Sequence, residues 1–226
     1  MAWVKTNDGT IYNTNNPTSV AAFANALTNP SLIIVGMCRA FSGTIDLPTD
    51  TAGNTYLDCG AGTVLYNASG WSCRLAYALN TTTQASNVVS VANGGSNGTR
   101  VSAVEFTGGA IASIVDVFAS NPNASTGTGG GQNMTSTAAI TTVDGDLIIG
   151  MEGDTSISPP RGAVGTGFTT TAVSALEYLV QTSAASIAAT WADATDDDPY
   201  AAIMCAFKQA ASAASPVLGR RYYVMP

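Results

Sequence analysis

Short apolar stretches separated by clusters of Gly, Asn, Asp, Ser and Thr recur along the whole chain. This pattern is typical of the strands and turns of an all-β sandwich or barrel. The compact apolar run Leu32–Arg39 has the length of a buried strand. The segment Ile45–Tyr56 follows and carries a polar turn at Asp50–Asn54, whose composition is that of a turn that caps its own backbone. The same pattern predicts further strands over Trp71–Leu79, Val88–Val91, Arg100–Phe106, Ile114–Phe118, Leu147–Met151, Ala175–Val180, Ile187–Trp191 and Ala201–Lys208.

The segment Trp71–Leu79 shows the clearest alternation of period two. Large apolar side chains occupy its odd positions, whereas Ser72, Arg74, Ala76 and Ala78 occupy the even ones. Antiparallel sheets commonly bury one face and leave the other in water. The alternation therefore predicts one buried face and one face toward solvent or a partner.

The first thirty residues contain two local signals. Trp3–Lys5 and Thr10–Tyr12 flank Asn7-Asp8-Gly9, and Asp-Gly readily adopts the positive φ values of a tight hairpin. A short N-terminal hairpin is therefore predicted. Residues 18–27 leave two alternatives open, because Val20, Phe23 and Leu27 fit helical spacing while the same stretch also suits an Ala-rich strand.

The length of 226 residues is within the range of one large β domain. We expect residues 31–208 to form the β-sandwich, with a hairpin or arm and a lead-in strand over 1–30. Residues 121–132 read as a Ser/Thr/Gly-rich loop. An Ala/Ser linker and a tail occupy 209–226, which form a C-terminal extension.

Charge narrows the choice of partners. The net charge is −7, and eight basic residues are scattered along the chain, with one pair at Arg220-Arg221. Binding of nucleic acid requires Lys and Arg against phosphates, so nucleic acid is not an expected partner. Charged residues make up 10% of the chain, against about a quarter in average domains. This uncharged polar surface suits a large assembly.

The apolar runs argue against membrane insertion. No run approaches the roughly twenty apolar residues that span a bilayer. Met1–Lys5 lacks the features of a secretory signal, so we expect no classical export if Met1 is native.

Four cysteines stand at positions 38, 59, 73 and 205, with no CxxC pair and no His in the chain. This composition argues against a zinc site. Cys38, Cys73 and Cys205 lie in apolar runs, where free cysteine behaves as a small hydrophobic residue. We expect reduced, buried thiols and folding in a cytosol; a disulfide framework is the alternative.

The order of motifs from Leu32 to Lys208 resembles a jelly-roll-like β-sandwich module that is common in phage and environmental bacterial structural and adhesive proteins. The matching pieces are Leu32–Val35, Thr49–Tyr56, Leu75–Asn80, Val101–Gly108, Thr141–Gly150, Gly165–Thr169 and Ala202–Lys208. The resemblance implies an antiparallel jelly-roll-like sandwich and favours a strand over residues 18–27. It implies no reaction.

The residues offer little for catalysis. Without His, the usual proton shuttle and triad base are missing, and Gly-x-Ser-x-Gly does not occur. Two converging carboxylates could hydrolyse glycosides, but turn or solvated carboxylates are the interpretation we favour. The available acidic residues are Asp50, Asp58, Glu105, Asp116, Glu152 and Glu177. No catalytic residue and no cofactor is predicted.

One acidic cluster precedes Pro199-Tyr200 and comprises Asp193, Asp196, Asp197 and Asp198. Adjacent Asp residues can ligate calcium, so these four are weak calcium candidates. The preferred interpretation is a charged loop that prevents edge pairing. No metal site is favoured.

Candidate interface residues lie near both ends of the chain. Trp71 and Trp191 fall in phase with apolar rows and are expected in the core, whereas Trp3 could anchor an interface. The tail adds Val217, Leu218, Arg220, Arg221, Tyr222 and Tyr223, and Arg and Tyr are enriched at interface hot spots. In this interpretation the tail docks on a neighbouring subunit or on a capsid-like partner; folding back over its own sheet edge is the alternative.

These observations favour a non-enzymatic virion protein of a tailed phage, such as a capsid decoration (cement) protein or a head or tail fibre module. It would assemble in the host cytoplasm, as a homo-oligomer or on capsid or other virion proteins. The alternative is a carbohydrate-binding or adhesive module at an extracellular surface, with a glycan as ligand. A hydrolase on a jelly-roll scaffold ranks last.

Overall fold

The computed structural model describes residues 2–13, 18–40, 43–67, 70–80, 82–92, 98–110, 112–123, 133–141, 144–154, 162–171, 176–193 and 199–210. All regular structure in these residues is β, and every strand pairing among them is antiparallel. The predicted all-β antiparallel sandwich is confirmed. Its jelly-roll-like strand order stays a prediction.

The strands divide into two consecutive sets. The first set is β1 (Val4–Asn13), β2 (Thr18–Ala22), β3 (Ser31–Arg39), β4 (Thr49–Asp50), β5 (Leu57–Asp58), β6 (Val64–Asn67), β7 (Trp71–Asn80), β8 (Val88–Ala92) and β9 (Thr99–Thr107). The second set is β10 (Val115–Asn123), β11 (Asn133–Thr135), β12 (Ala139–Ile140), β13 (Leu147–Asp154), β14 (Gly162–Val164), β15 (Thr169–Thr170), β16 (Leu176–Val180), β17 (Ser186–Ile187), β18 (Thr190–Asp193) and β19 (Tyr200–Phe207).

The two sets repeat one topology. The first forms a large sheet of order β1-β9-β3-β7-β5, with β6 also on β7, and a small sheet of order β2-β8-β4. The second forms a large sheet of order β10-β19-β13-β16-β15 and a small sheet of order β11-β18-β14. Each strand of one series has its counterpart in the other, in the same chain order. The fold is therefore an internal duplication, to which the β12-β17 pair and β6 are additions.

Three core clusters stack the sheets into four layers. The two large sheets face each other across a central cluster that includes Leu32, Phe106, Ile149 and Phe207. The outer face of the first large sheet packs on the small sheet of the first half, and the second half repeats this arrangement. Each large sheet is thus covered on both faces.

Burial on both faces explains why β3 and β19 are almost continuously apolar. It also corrects the prediction for Trp71–Leu79. Ser72, Arg74, Ala76 and Ala78 are all buried, and the two alanines belong to the core under the small sheet. Alternation in β7 therefore separates two cores; it does not separate core from solvent.

The predicted N-terminal hairpin is wrong. β1 is one strand that pairs with β9 from Val4↔Thr107 to Asn13↔Thr99, with one irregularity between Lys5 and Asn7. Pairing along a whole neighbouring strand satisfies more backbone donors and acceptors than a short hairpin would. Gly9 lacks a side chain because a Cβ there would overlap the backbone carbonyl of Ala22 in β2.

Two other ambiguous segments take definite forms. Residues 18–22 form β2, which agrees with the strand alternative, while Phe23 and Leu27 follow it as buried residues without regular structure. β10 continues to Asn123, so the predicted loop 121–132 begins within a strand. Its remaining residues, 124–132, lie outside the described residues.

Candidate functional site

An open concavity of about 300 Å³ lies at the end of the molecule where β3 begins and β7 and β9 end. We call it the end pocket. It is lined by Thr28, Asn29, Pro30, Ser31, Leu32, Leu79, Asn80, Thr107, Gly108, Gly109, Ala110, Ile114 and Ala210. Its walls are mainly apolar and its rim carries hydroxyl and amide groups, a combination that is common in binding pockets.

Buried polar side chains hold the loops around this pocket in place. Asn80 donates hydrogen bonds to the carbonyl oxygens of Thr28 and Thr82 at 2.7 Å each, and to Ser31 Oγ at 3.1 Å. The Glu105 carboxylate accepts the backbone N–H of Thr28 at 2.7 Å. These bonds fix residues 28–31 without any ligand, so the end pocket is preformed.

The opposite side of the pocket is made by the connection between the two halves and by the last described residues. Ala110 N–H donates to Lys208 O at 3.0 Å, and Ala210 N–H donates to Gly108 O at 2.9 Å. Gly109 and Gln209 form an antiparallel bridge between them. The described part of the chain therefore ends on the rim of the end pocket.

A second, shallower concavity adjoins the first along β7. This turn groove, of about 350 Å³, is lined by Ala52, Gly53, Asn54, Thr55, Leu57, Tyr77, Leu79 and Thr82. Leu79 lines both concavities. The groove therefore presents a half-buried tyrosine ring beside hydroxyl and amide groups.

The turn that forms this groove is stabilised by Asp50. Its carboxylate accepts the Asn54 backbone N–H at 2.9 Å, the Tyr56 hydroxyl at 2.9 Å and the Asn87 side-chain amide at 3.1 Å. Burial, followed by the neighbouring Asp50 carboxylate, raises the pKa of Tyr56. This confirms that the turn caps its own backbone, as the sequence predicted.

Three of the acidic residues considered for catalysis are fully buried: Glu105, Glu152 and Glu177. Glu177 accepts backbone N–H groups from Gly165 at 3.1 Å and Thr190 at 3.2 Å. Burial raises the pKa of Glu177 to about 8, and the nearby Glu152 carboxylate adds to this, although the two N–H donors act in the opposite direction. These carboxyl groups lie inside the sandwich, where Glu105 and Glu177 accept hydrogen bonds from backbone N–H groups of loops.

Asp116 and Asp146 form a buried pair of carboxyl groups. Burial raises the pKa of Asp146 to about 7, and the neighbouring Asp116 carboxyl group adds to the rise, whereas Lys208 lowers it. Lys208 Nζ lies 3.7 Å from Asp116. The Asp116 side chain is 2% exposed, so this pair also lies in the interior of the protein. Asp58 is different, because it forms an ion pair with Arg74 at 2.6 Å near the surface.

Trp3 lies in the core between the two halves. It is 7% exposed, donates its indole N–H to Gly145 O at 3.0 Å, and packs edge-on against Phe106. The interface expected of Trp3 is therefore internal to the chain, since it ties the start of β1 to the turn before β13. Trp191 is likewise buried, and Trp71 is partly buried against the central core.

The remaining predicted site residues are mostly undescribed. Val217, Leu218, Arg220, Arg221, Tyr222 and Tyr223 lie outside the described residues, as do Asp196, Asp197 and Asp198. Asp193 ends β18. Within the described ranges, no group of three or more His, Cys, Asp or Glu residues is placed to hold a metal ion. No helix formed by those residues has the length and apolarity required to cross a membrane.

Sequence reasoning missed the end pocket. Pro30, Leu79 and Ala110 belong to different strand ends and connections, and no local motif joins them. Comparisons of the chain with models of protein families, with curated proteins and with solved structures find no match. The candidate site is therefore argued from its own geometry.

Proposed function

We propose that this chain is a non-enzymatic structural subunit of a tailed-phage virion, such as a capsid decoration (cement) protein or a head or tail fibre module. The observation that carries the proposal is the end pocket, a preformed and largely apolar concavity at which the described chain ends. Such a concavity can serve as an acceptor surface on each copy of a repeated subunit. The resemblance to phage sandwich modules supports the same class.

The placement of the acidic residues also favours a structural role. Glu105, Glu152 and Glu177 are enclosed, and a general acid or base must reach within hydrogen-bonding distance of its substrate. The four-layer stack of sheets is compatible with a structural subunit. The absence of enzymatic activity stays a prediction, as do the virion location and capsid or other virion proteins as partners.

The test is quantitative mass spectrometry of purified phage particles from a host whose genome encodes the chain. We expect the protein to band with the particles in a density gradient, in a whole-number copy ratio to the major capsid or tail protein. A structural subunit must resist a high-salt wash of the particle. Recovery of the protein only in the soluble fraction would overturn the proposal.

A carbohydrate-binding or adhesive module is the second candidate, and the turn groove favours it. Tyr77 is half-buried there, and Asn54, Thr55 and Thr82 supply amide and hydroxyl groups around it. Aromatic rings with nearby polar groups offer both an apolar face and hydrogen bonds to a sugar. A glycan array tests this candidate: binding that Tyr77→Ala removes, while Tyr178→Ala on β16 retains it, would favour adhesion over cement function.

A further inference from the structure

We propose that the end pocket binds the C-terminal segment 216–226 of a second copy of this chain. The inference rests on the proposed function, because it supplies the contact between subunits that a repeated assembly requires. The pocket supplies the acceptor surface, and the segment supplies the donor side chains.

The two surfaces match in chemistry. Pro30, Leu32 and Ile114 contribute apolar wall, and the hydroxyl and amide groups of the rim border it. The segment carries Val217 and Leu218, followed by Tyr222 and Tyr223. Tyrosine combines a large apolar ring with a hydroxyl group that must find a partner when it is buried. An apolar pocket with a polar rim satisfies both needs.

The connection is long enough for the segment to reach a neighbouring copy. The chain is anchored on the pocket rim at Ala210. Residues 211–215 are Ala and Ser alone, and Pro216 favours an extended residue before it. Eight fully extended residues span at most about 26 Å, so Leu218 can reach the pocket of an adjacent copy.

Charge favours contact between the segment and the body of this chain or of a second copy. Two of the eight basic residues, Arg220 and Arg221, lie in the segment, which leaves six basic against fifteen acidic residues elsewhere. The segment is thus cationic, and the body of every copy is anionic with a net charge of −9 by this count. Opposite charges accelerate the encounter of two surfaces and disfavour incorrect partners.

The contact allows two types of assembly. Two copies that exchange segments reciprocally form a closed dimer, whereas a segment donated onward to a third copy makes a heterologous contact. A heterologous contact builds a ring when its rotation closes and an open array when it does not. Either product suits a protein that repeats along a virion surface.

The experiment separates donor from acceptor in the full-length chain. Ala110→Phe fills the pocket, and Ala112→Phe is its matched control because Ala112 is exposed and does not line the pocket. A donor variant combines Leu218→Ser, Tyr222→Ser and Tyr223→Ser. Sedimentation velocity over a range of concentrations measures association, and circular dichroism verifies folding.

We expect the unmodified chain and Ala112→Phe to associate into a closed dimer or a larger assembly. Loss of a hot-spot contact raises the dissociation constant by about ten-fold or more, so the pocket variant and the donor variant should each be monomeric at concentrations where the control associates. An equal mixture of these two variants retains one intact donor and one intact pocket. It should form dimers and nothing larger. A monomeric unmodified chain, or equal association of the two Phe variants, would overturn the proposal.

A second measurement does not depend on the pocket variant folding. Benzoylphenylalanine at position 218 is photolysed in a mixture of ¹⁴N- and ¹⁵N-labelled full-length chains. Crosslinks to residues 28–32 or 107–110 of the other isotope support the proposal. Crosslinks confined to one isotope mean that the segment occupies its own pocket, and that result, or an absence of crosslinks at the pocket, contradicts it. Association without presence in particles would instead overturn the proposed function alone.

Discussion

Arg100 on β9 and Glu152 on β13 form an ion pair between the two large sheets, with Nη2 and Oε1 3.2 Å apart. The two side chains are 1% and 0% exposed. Arg100 also donates to the backbone carbonyl of Glu152 at 2.6 Å. Burial by itself lowers the pKa of Arg100, but the Glu152 carboxylate together with the nearby Cys38 and Cys73 outweighs burial and raises it. The two halves of the duplicated fold are therefore joined by a buried charge pair as well as by apolar contacts.

Removing one partner of this pair should be severely destabilising. We expect Arg100→Met to reduce the free energy of unfolding by about 3–5 kcal/mol, because it leaves the Glu152 charge buried without its partner. The double variant Arg100→Met/Glu152→Leu should recover much of this loss. Urea unfolding of both variants measures the difference. If the double variant is no more stable than Arg100→Met, the charge pair is not the cause of the loss.

Trp3 and Gly109 should be energetically coupled. Trp3→Ala leaves a cavity between the halves and should cost about 3 kcal/mol, whereas Trp3→Phe mainly loses the hydrogen bond to Gly145 O and should cost about 1 kcal/mol. A Cβ on residue 109 would overlap the Trp3 ring. Gly109→Ala should therefore be less harmful in the Trp3→Phe background. A thermal-unfolding double-mutant cycle with strictly additive effects would contradict this contact.

Asp146 should make stability fall as the pH rises. Its pKa is about 7 in the folded chain against an ordinary 3.8, so the folded chain retains a proton that the unfolded chain has released. The contribution of this proton to the free energy of unfolding is complete below about pH 3.8 and is lost as the pH rises through 7. Glu177, with a pKa of about 8, acts in the same direction.

The variant Asp146→Asn should reduce this pH dependence and be about 1 kcal/mol more stable than the unmodified chain at pH 8, because an amide can donate to Asp116 without a charge. Urea unfolding between pH 5 and 8.5 measures how the free energy of unfolding changes with pH. Asp144→Asn is the control, because Asp144 lies on the same turn but is exposed. This variant should retain most of the pH dependence of the free energy of unfolding. If the slope of the free energy of unfolding against pH is unchanged in Asp146→Asn, other groups cause the pH dependence.

All four thiols are buried, and this agrees with the positions predicted for Cys38, Cys73 and Cys205. Burial raises the pKa of the Cys59 and Cys73 thiols, and the thiolate is the reactive form. We expect thiol labelling to be slow in the native protein and to reach four groups in denaturant. Rapid native labelling, or an intact mass that indicates a disulfide, would contradict reduced thiols and folding in a cytosol.

Chelator should leave the stability unchanged if the acidic stretch from Asp193 to Asp198 is only a charged loop. A ligand that binds the folded state raises the melting temperature, so EDTA would lower it if calcium occupied this loop. Differential scanning calorimetry with and without EDTA makes the comparison. If EDTA lowers the melting temperature and added calcium restores it, these aspartates are calcium ligands.

Local interactions could be predicted from the sequence. Asp50 accepts the Asn54 N–H only four residues away, and the turn composition alone indicated this. Strand positions such as Leu32–Arg39 followed from apolar runs, since period and length depend on neighbours in the chain. The N-terminal hairpin failed because Asp8-Gly9 is compatible with both a turn and an extended strand, and the distant β9 decided between them.

The sequence by itself determined the all-β class, the positions of most of the long strands and the capped turn, because each depends on residues a few positions apart. Only the tertiary structure decided that β7 is buried on both faces, that Arg100 meets Glu152, and that Pro30, Leu79 and Ala110 enclose one pocket. These features arise when separate sheets stack. Their free energy comes from burial and charge pairing between residues far apart in the chain, which no local pattern encodes.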